Sequence, residues 1–240
     1  MTFNGSSDTA AARPGIPVQQ TRLDVGRCFA AAWEVYRKNF WTLVAAAIVF
    51  DLLSLVTILV LAGPLCGGWC VLTLNALSRP DRKVEFGLLF NAAHQFGTLL
   101  ALFFVTLVAE LVGLTLLVIP GLLLMTVWLF PFHLVVDRNL GMRDALRTSA
   151  LIVARRGIGP NFILAALALL MTLLPMFIPY VGWVASWFML PLGWLLVSAA
   201  YIQQVREHPE ELSDLLPQGF PVTMAPPPAP APPSAADAAA

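Results

Sequence analysis

Three long apolar stretches, Trp41–Ser78, Gly97–Val136 and Asn161–Gln204, hold none of the chain's fourteen Lys and Arg residues. The cations fall before the first stretch, between the stretches and after the last. Each stretch runs to about 40 residues, twice the ~20 that cross a bilayer once as a helix. Each is broken near its middle by Gly and Pro: Gly63-Pro64, Pro120-Gly121, and Pro179 to Gly182. The pattern predicts three transmembrane hairpins, each starting and finishing on the side that carries the cations. By the positive-inside rule that side is cytoplasmic, and both termini are expected there.

Composition agrees. With 58% hydrophobic and 12% charged residues and a mean hydropathy of +0.78, the chain has too little charge to cover a soluble core. The net charge of zero averages two zones. From Arg22 to Arg156, leaving aside the two acids inside apolar stretches, twelve cations face six anions, a collar of +6. From Arg206 onward one cation faces five anions, a tail of −4. The collar works as a topology signal, and it also suits anionic lipid headgroups. Arg143, Arg147, Arg155 and Arg156 are its densest group and the expected anionic-lipid contacts. Cations arranged around a membrane are a poor fit to nucleic acid.

Residues 1–20 are polar and punctuated by Pro and Gly, and 206–240 are acidic and then Pro/Ala-rich. Both are expected to be disordered tails, because neither buries enough apolar surface to offset ordering entropy. One membrane domain, 21–205, lies between them. No cleavable signal peptide is expected, since apolar sequence begins only at Trp41. Thr2 in place of glycine excludes N-myristoylation. Cys28, Cys66 and Cys70 are too few for a disulfide framework. Cys66 and Cys70, beside Gly63, Gly67 and Gly68, read as a small-residue packing face.

A charged, amphipathic stretch precedes each hairpin. The first opens on a capping-box-like Thr21-to-Asp24 and repeats Val25, Phe29, Ala32, Trp33, Tyr36 and Phe40 at helical spacing. The second carries Phe86, Leu89, Phe90, Ala93 and Phe96, and the third Met142, Leu146, Ala150 and Val153. All three are expected to lie in the membrane interface. The hairpins also resemble one another at an offset of 59, as in Trp69, Trp128 and Trp187 or Pro120 and Pro179. That suggests a threefold internal repeat about an axis along the membrane normal. Pro131, Pro175 and Pro191 should kink their helices, with Thr172 and Ser186 nearby to pair with freed carbonyls.

No phosphate loop, nucleophile elbow or kinase signature is present. His94, His133 and His208 lack metal-ligand spacing, and His133 is expected to cap or snorkel at the cytoplasmic end of a span. The sequence therefore assigns no catalytic, cofactor-binding or metal-ligating residue. Asp51 and Glu110 stand out instead. They obey the same 59-residue offset, with Leu169 in the third slot, and lie roughly 15 Å deep at ~1.5 Å per residue. No Lys or Arg in any span can pair with them. An acid so placed is protonated, shares a proton or cation, or faces a wet cavity. The structural alternative is a neutral acid bonded to Ser54, Thr57, Thr106 or a helix carbonyl. Should the first helices of the repeats meet at the threefold axis, the two acids would form a coupled pair.

The segments Ile119-Pro120-Gly121, Trp128, Val136-Asp137-Arg138 and Asp144-Ala145-Leu146-Arg147-Thr148-Ser149 carry a family resemblance. So does the opening Asp24-Val25-Gly26 through Trp33, Tyr36 and Lys38-Asn39-Phe40-Trp41. Over about residues 22–205 the chain resembles bacterial polytopic membrane proteins of unknown function, related to the membrane domain fused to some glycerophosphodiester phosphodiesterases. The resemblance implies a six-helix domain in a bacterial inner membrane and brings no catalytic position with it. The expected architecture is all-α, with six transmembrane helices in three hairpins, each preceded by an interfacial helix. The expected function is non-enzymatic, organising lipid or a protein partner. The alternatives are a small transporter or channel coupled to protons or cations at Asp51 and Glu110, and an accessory subunit of a lipid-modifying enzyme.

Overall fold

The computed structural model describes residues 23–57, 60–80, 82–116, 118–178 and 181–207, and every regular element among them is helical. The expected tails lie outside these residues, apart from Arg206 and Glu207, and so does His208. Helix α1 (Val25–Lys38) starts at Asp24, whose carboxylate accepts the Arg27 amide at 3.0 Å. Arg37 and Lys38 occupy its last turn, where cations complement the helix dipole. Asn39 ends it, and α2 (Phe40–Val56) leaves at 91°. Helices α7 (Met142–Arg156) and α8 (Ile158–Leu173) repeat this elbow at 117°. Their corner is Gly157 at φ 101, a conformation open to a residue without Cβ.

The second amphipathic stretch behaves differently. Phe86–Gln95 forms a 3-10 helix that runs on into α4 (Phe96–Leu116), giving a single helical stretch over Phe86–Gly113. Leu89 and Ala92 are buried against α3 (Ala62–Ser78), and this stretch continues into α4 where a separate interfacial helix was expected. The cause is the glycine face of α3. A Cβ at Gly63 would stand 2.6 Å from the Leu99 carbonyl, and one at Gly68 would collide with the Leu89 carbonyl. Bare backbone here lets the two helices close to contact, which fulfils the small-residue expectation. Cys66 and Cys70 are buried free thiols in the same helix.

The remaining helices are α5 (Val118–Val127), α6 (Pro131–Arg138) and α9 (Gly182–Tyr201), the last extended by a π turn over Ile202–Arg206. Among the described residues three helical stretches are long and apolar enough to cross a membrane: Phe86–Gly113, Ile119–Arg138 and Gly182–Arg206. Counting each elbowed pair as one span raises this to five. The outer surface is apolar, with Leu55, Val56 and Phe177 exposed to 67%, 71% and 81%. Such a surface suits hydrocarbon and not water.

Gly63-Pro64 and Pro120-Gly121 fall inside helices and not in the turns before them, and Pro179 of the third break lies outside the described residues. Pro64 and Pro120 each sit third in their helix, and Gly182 sits first. Proline is tolerated there because first-turn amides have no intrahelical acceptor. Pro131 separates α5 from α6, and α7 repairs the break. Ser149 Oγ donates to the Val127 carbonyl, four residues before the proline, at 2.9 Å and accepts the Phe130 amide at 3.2 Å. Thr172 and Ser186 bond to Ala168 and Trp183, carbonyls other than those the prolines free. At Pro191 the neighbouring Phe188 carbonyl takes a bond from Tyr36 of α1 at 2.7 Å.

Candidate functional site

Helices α3, α6 and α9 form the centre, with Trp69, Phe130, Leu134 and Tyr201 fully buried among them. Their C-terminal ends converge on one polar belt. Arg206, at the end of α9, bonds Ser78 at the end of α3 (2.9 Å) and Asp137 at the end of α6. Tyr201 donates to the same carboxylate at 2.8 Å, and Arg138 lies 3.6 Å from it. The starts of the partner helices are tied in at this level. Asn39 accepts from the Val84 amide, Gln95 donates to Asn139, and Asn161 pairs reciprocally with Gln204. Cations at converging helix C-termini oppose the negative ends of three dipoles.

A cavity of about 360 Å³ opens beside this centre, lined from α2, α3, α4, α5, α6, α8 and α9. Most of its wall is aliphatic or aromatic, including Phe103, Trp128, Phe132 and Trp194. Glu110 of α4 and His133 of α6 are the ionisable side chains on the wall besides the Cys66 thiol. The volume falls in the range of small-molecule sites.

The hydrogen bonds around His133 define its tautomer. Thr73 Oγ1 lies 2.7 Å from the Trp69 carbonyl and 2.7 Å from Ser198 Oγ. A carbonyl cannot donate, so the Thr73 proton points at Trp69 and Ser198 donates to Thr73. Ser198 then accepts from His133 Nε2 at 2.8 Å. The neutral ring therefore carries its proton on Nε2. Nδ1 is left as a bare acceptor, buried and without a hydrogen-bond partner among the described residues.

Of the two expected acids, Glu110 lines the cavity and Asp51 does not; Leu169, in the third slot, does. Asp51 accepts the Trp187 indole N–H at 2.8 Å. The structure does not bring the acids together. No hydrogen bond joins them, and α2 and α4 do not pack along one another, because the helices at the centre are α3, α6 and α9. Arg143, Arg147 and Arg155 are exposed on α7. Arg156 is not: it is buried and donates to the Gln204 carbonyl at 3.0 Å, closing the end of α9.

His133 departs furthest from expectation. It neither caps nor snorkels but is 1% exposed, stacked on Tyr201 with ring centroids 5.1 Å apart. Sequence spacing missed it because its partners, Ser198 and Thr73, lie on two other helices. A polar triplet at one helical depth, His133, Ser198 and Thr73, was the signal to seek. Among the described residues no group of three or more His, Cys, Asp or Glu side chains is placed to hold a metal ion. Outside the spans, burial pushes the Cys28 thiol up to about 12, with Asp24 adding to the effect. Burial likewise raises the Tyr36 phenol.

No protein-family model matches the chain, and no curated protein or solved structure matches it either.

Proposed function

We propose that this chain is a non-enzymatic multi-pass membrane protein that holds lipid or another amphipathic molecule within its helical bundle. The cavity carries this reading, since it has a largely apolar wall with a few polar groups, as ligand sites do. We take the architecture as six spans in three hairpins: α2 with α3, α4 with α5 and α6, and α8 with α9. The gathering of both ends of each hairpin at one polar belt supports that count and a shared orientation. The cationic collar puts the belt on the cytoplasmic side, in a bacterial inner membrane as the family resemblance implies. The exposed Arg143, Arg147 and Arg155 supply an anionic-lipid surface there.

The test is native mass spectrometry of retained lipid, comparing wild type with a cavity-filling Leu169→Trp and a triple Gln variant at Arg143, Arg147 and Arg155. Leu169→Trp is expected to lose tightly held molecules, and the triple variant to lose anionic lipid selectively. Equal retention in all three proteins ends this reading. Coupled transport of protons or cations ranks second, favoured by Glu110, which stands on the cavity wall with no hydrogen bond or ion pair among the described residues. Liposome flux that Glu110→Gln abolishes would promote it.

A further inference from the structure

We infer that the cavity selects a lipophilic primary ammonium, with its charged N–H group against Glu110. This rests on the cavity being an amphiphile site and adds the chemical class of its occupant. The wall is rich in acceptors. Thr106 and Thr172 line it, and both hydroxyl protons are committed to helix carbonyls, at 2.9 Å from Leu102 and 3.0 Å from Ala168. Their oxygens keep lone pairs and have no proton left to donate. Glu110 adds a carboxyl group that takes part in no hydrogen bond or ion pair among the described residues.

No Lys or Arg lines the cavity, so a phosphate or carboxylate headgroup finds no counter-charge there. Trp128 and Trp194 on the wall are of the ring type that best attracts a cation. Each contribution points to one class: an apolar body carrying a positively charged donor. A quaternary ammonium has the charge but offers nothing for the acceptors to bind. The cavity and the collar thus have opposite charge preferences, which keeps anionic lipid at the rim and out of the bundle.

The test uses the full chain in phosphatidylcholine nanodiscs at pH 7, titrated with dodecylammonium, dodecanol and dodecanoate. Tryptophan fluorescence reads binding, because Trp128 and Trp194 line the cavity. Empty nanodiscs correct for partitioning. Dodecylammonium is expected to bind saturably and more tightly than dodecanol, with dodecanoate weakest. Glu110→Gln should weaken dodecylammonium by roughly tenfold or more, as loss of a charge-assisted bond implies, while leaving dodecanol within about twofold. Leu169→Trp, which keeps the polar groups of the wall, should abolish binding of both probes. Wild-type preference is read without any variant, so a misfolded Glu110→Gln leaves the inference open to refutation. Equal binding of dodecanol and dodecylammonium to wild type, or indifference to Glu110→Gln, overturns the ammonium assignment while the amphiphile site stands. Saturable binding of no probe overturns both.

Discussion

Trp187 of α9 donates its indole N–H to Asp51 of α2 at 2.8 Å, so an acid deep in one helix is satisfied by an aromatic donor on another. This bond ties the first apolar stretch to the last. Asp51→Asn keeps a carbonyl acceptor and is expected to leave thermal stability nearly unchanged. Asp51→Leu leaves the indole unpaired and should cost about 1 kcal/mol, at the low end for an orphaned donor because the site is half-buried. A Leu variant as stable as wild type would show that the bond contributes nothing.

The belt at the helix ends makes a sharper case. Asp137 neutralises one of two guanidiniums beside it, and its side chain and that of Arg138 are each 7% exposed. Asp137→Asn would leave both cations without a counter-charge, which typically costs about 3 to 5 kcal/mol for a buried pair. Denaturant titration of purified protein reads this directly. A loss below about 1 kcal/mol would mean that water reaches the belt freely.

Gly68 and Gly97 form an internal comparison. A Cβ on Gly68 meets the Leu89 carbonyl, and backbone cannot swing aside; a Cβ on Gly97 meets nothing within 4 Å. Gly68→Ala is expected to destabilise by about 1 to 3 kcal/mol, as overpacking does. Gly97→Ala should be neutral or slightly stabilising, since alanine is the better helix former. Equal melting temperatures for the two variants would contradict the close approach of α3 to the 3-10 segment.

Cys28 reports on the junction of α1 with the end of α9, where its thiol donates to Gln203 at 3.1 Å. Burial raises this thiol from about 9.0 to about 12, so the folded state holds the proton more tightly than the unfolded chain. The associated stability is full below the unfolded value and declines as pH rises toward the folded one. Iodoacetamide at pH 8 should therefore modify Cys28 only after denaturation, and Cys28→Ser should flatten stability between pH 9 and 12. Rapid alkylation of native protein would refute the buried-thiol assignment.

Topology is tested with single cysteines in a cysteine-free background. Positions 80 and 139 are expected to resist an impermeant reagent in intact cells and to react after lysis, whereas position 61, before α3, should react from outside. Labelling of 80 or 139 from outside is the result that defeats a shared cytoplasmic orientation.

Much of this architecture was legible in the chain. Apolar stretches bounded by cations, the amphipathic first and third helices and the glycine face all depend on local composition and periodicity, which act residue by residue. Other readings failed for equally local reasons. Pro64 and Pro120 looked like turn residues, yet a first helical turn accepts proline at no cost in hydrogen bonds. Phe86–Gln95 looked like a separate helix, yet it runs on into α4 and buries Leu89 and Ala92 against the glycines of α3, while Phe90, Ala93 and Phe96 stay exposed.

The sequence by itself determined that the chain carries helices apolar enough to cross a bilayer, because hydrophobic transfer and the cost of placing cations in hydrocarbon are properties of the stretches alone. Only the tertiary structure decided which helices form the centre. That choice separated Asp51 from Glu110, drew Arg156 inward to cap α9, and turned His133 from a surface residue into a cavity wall. Each outcome depends on which distant donor meets which acceptor, and no spacing along one helix encodes a partner on another.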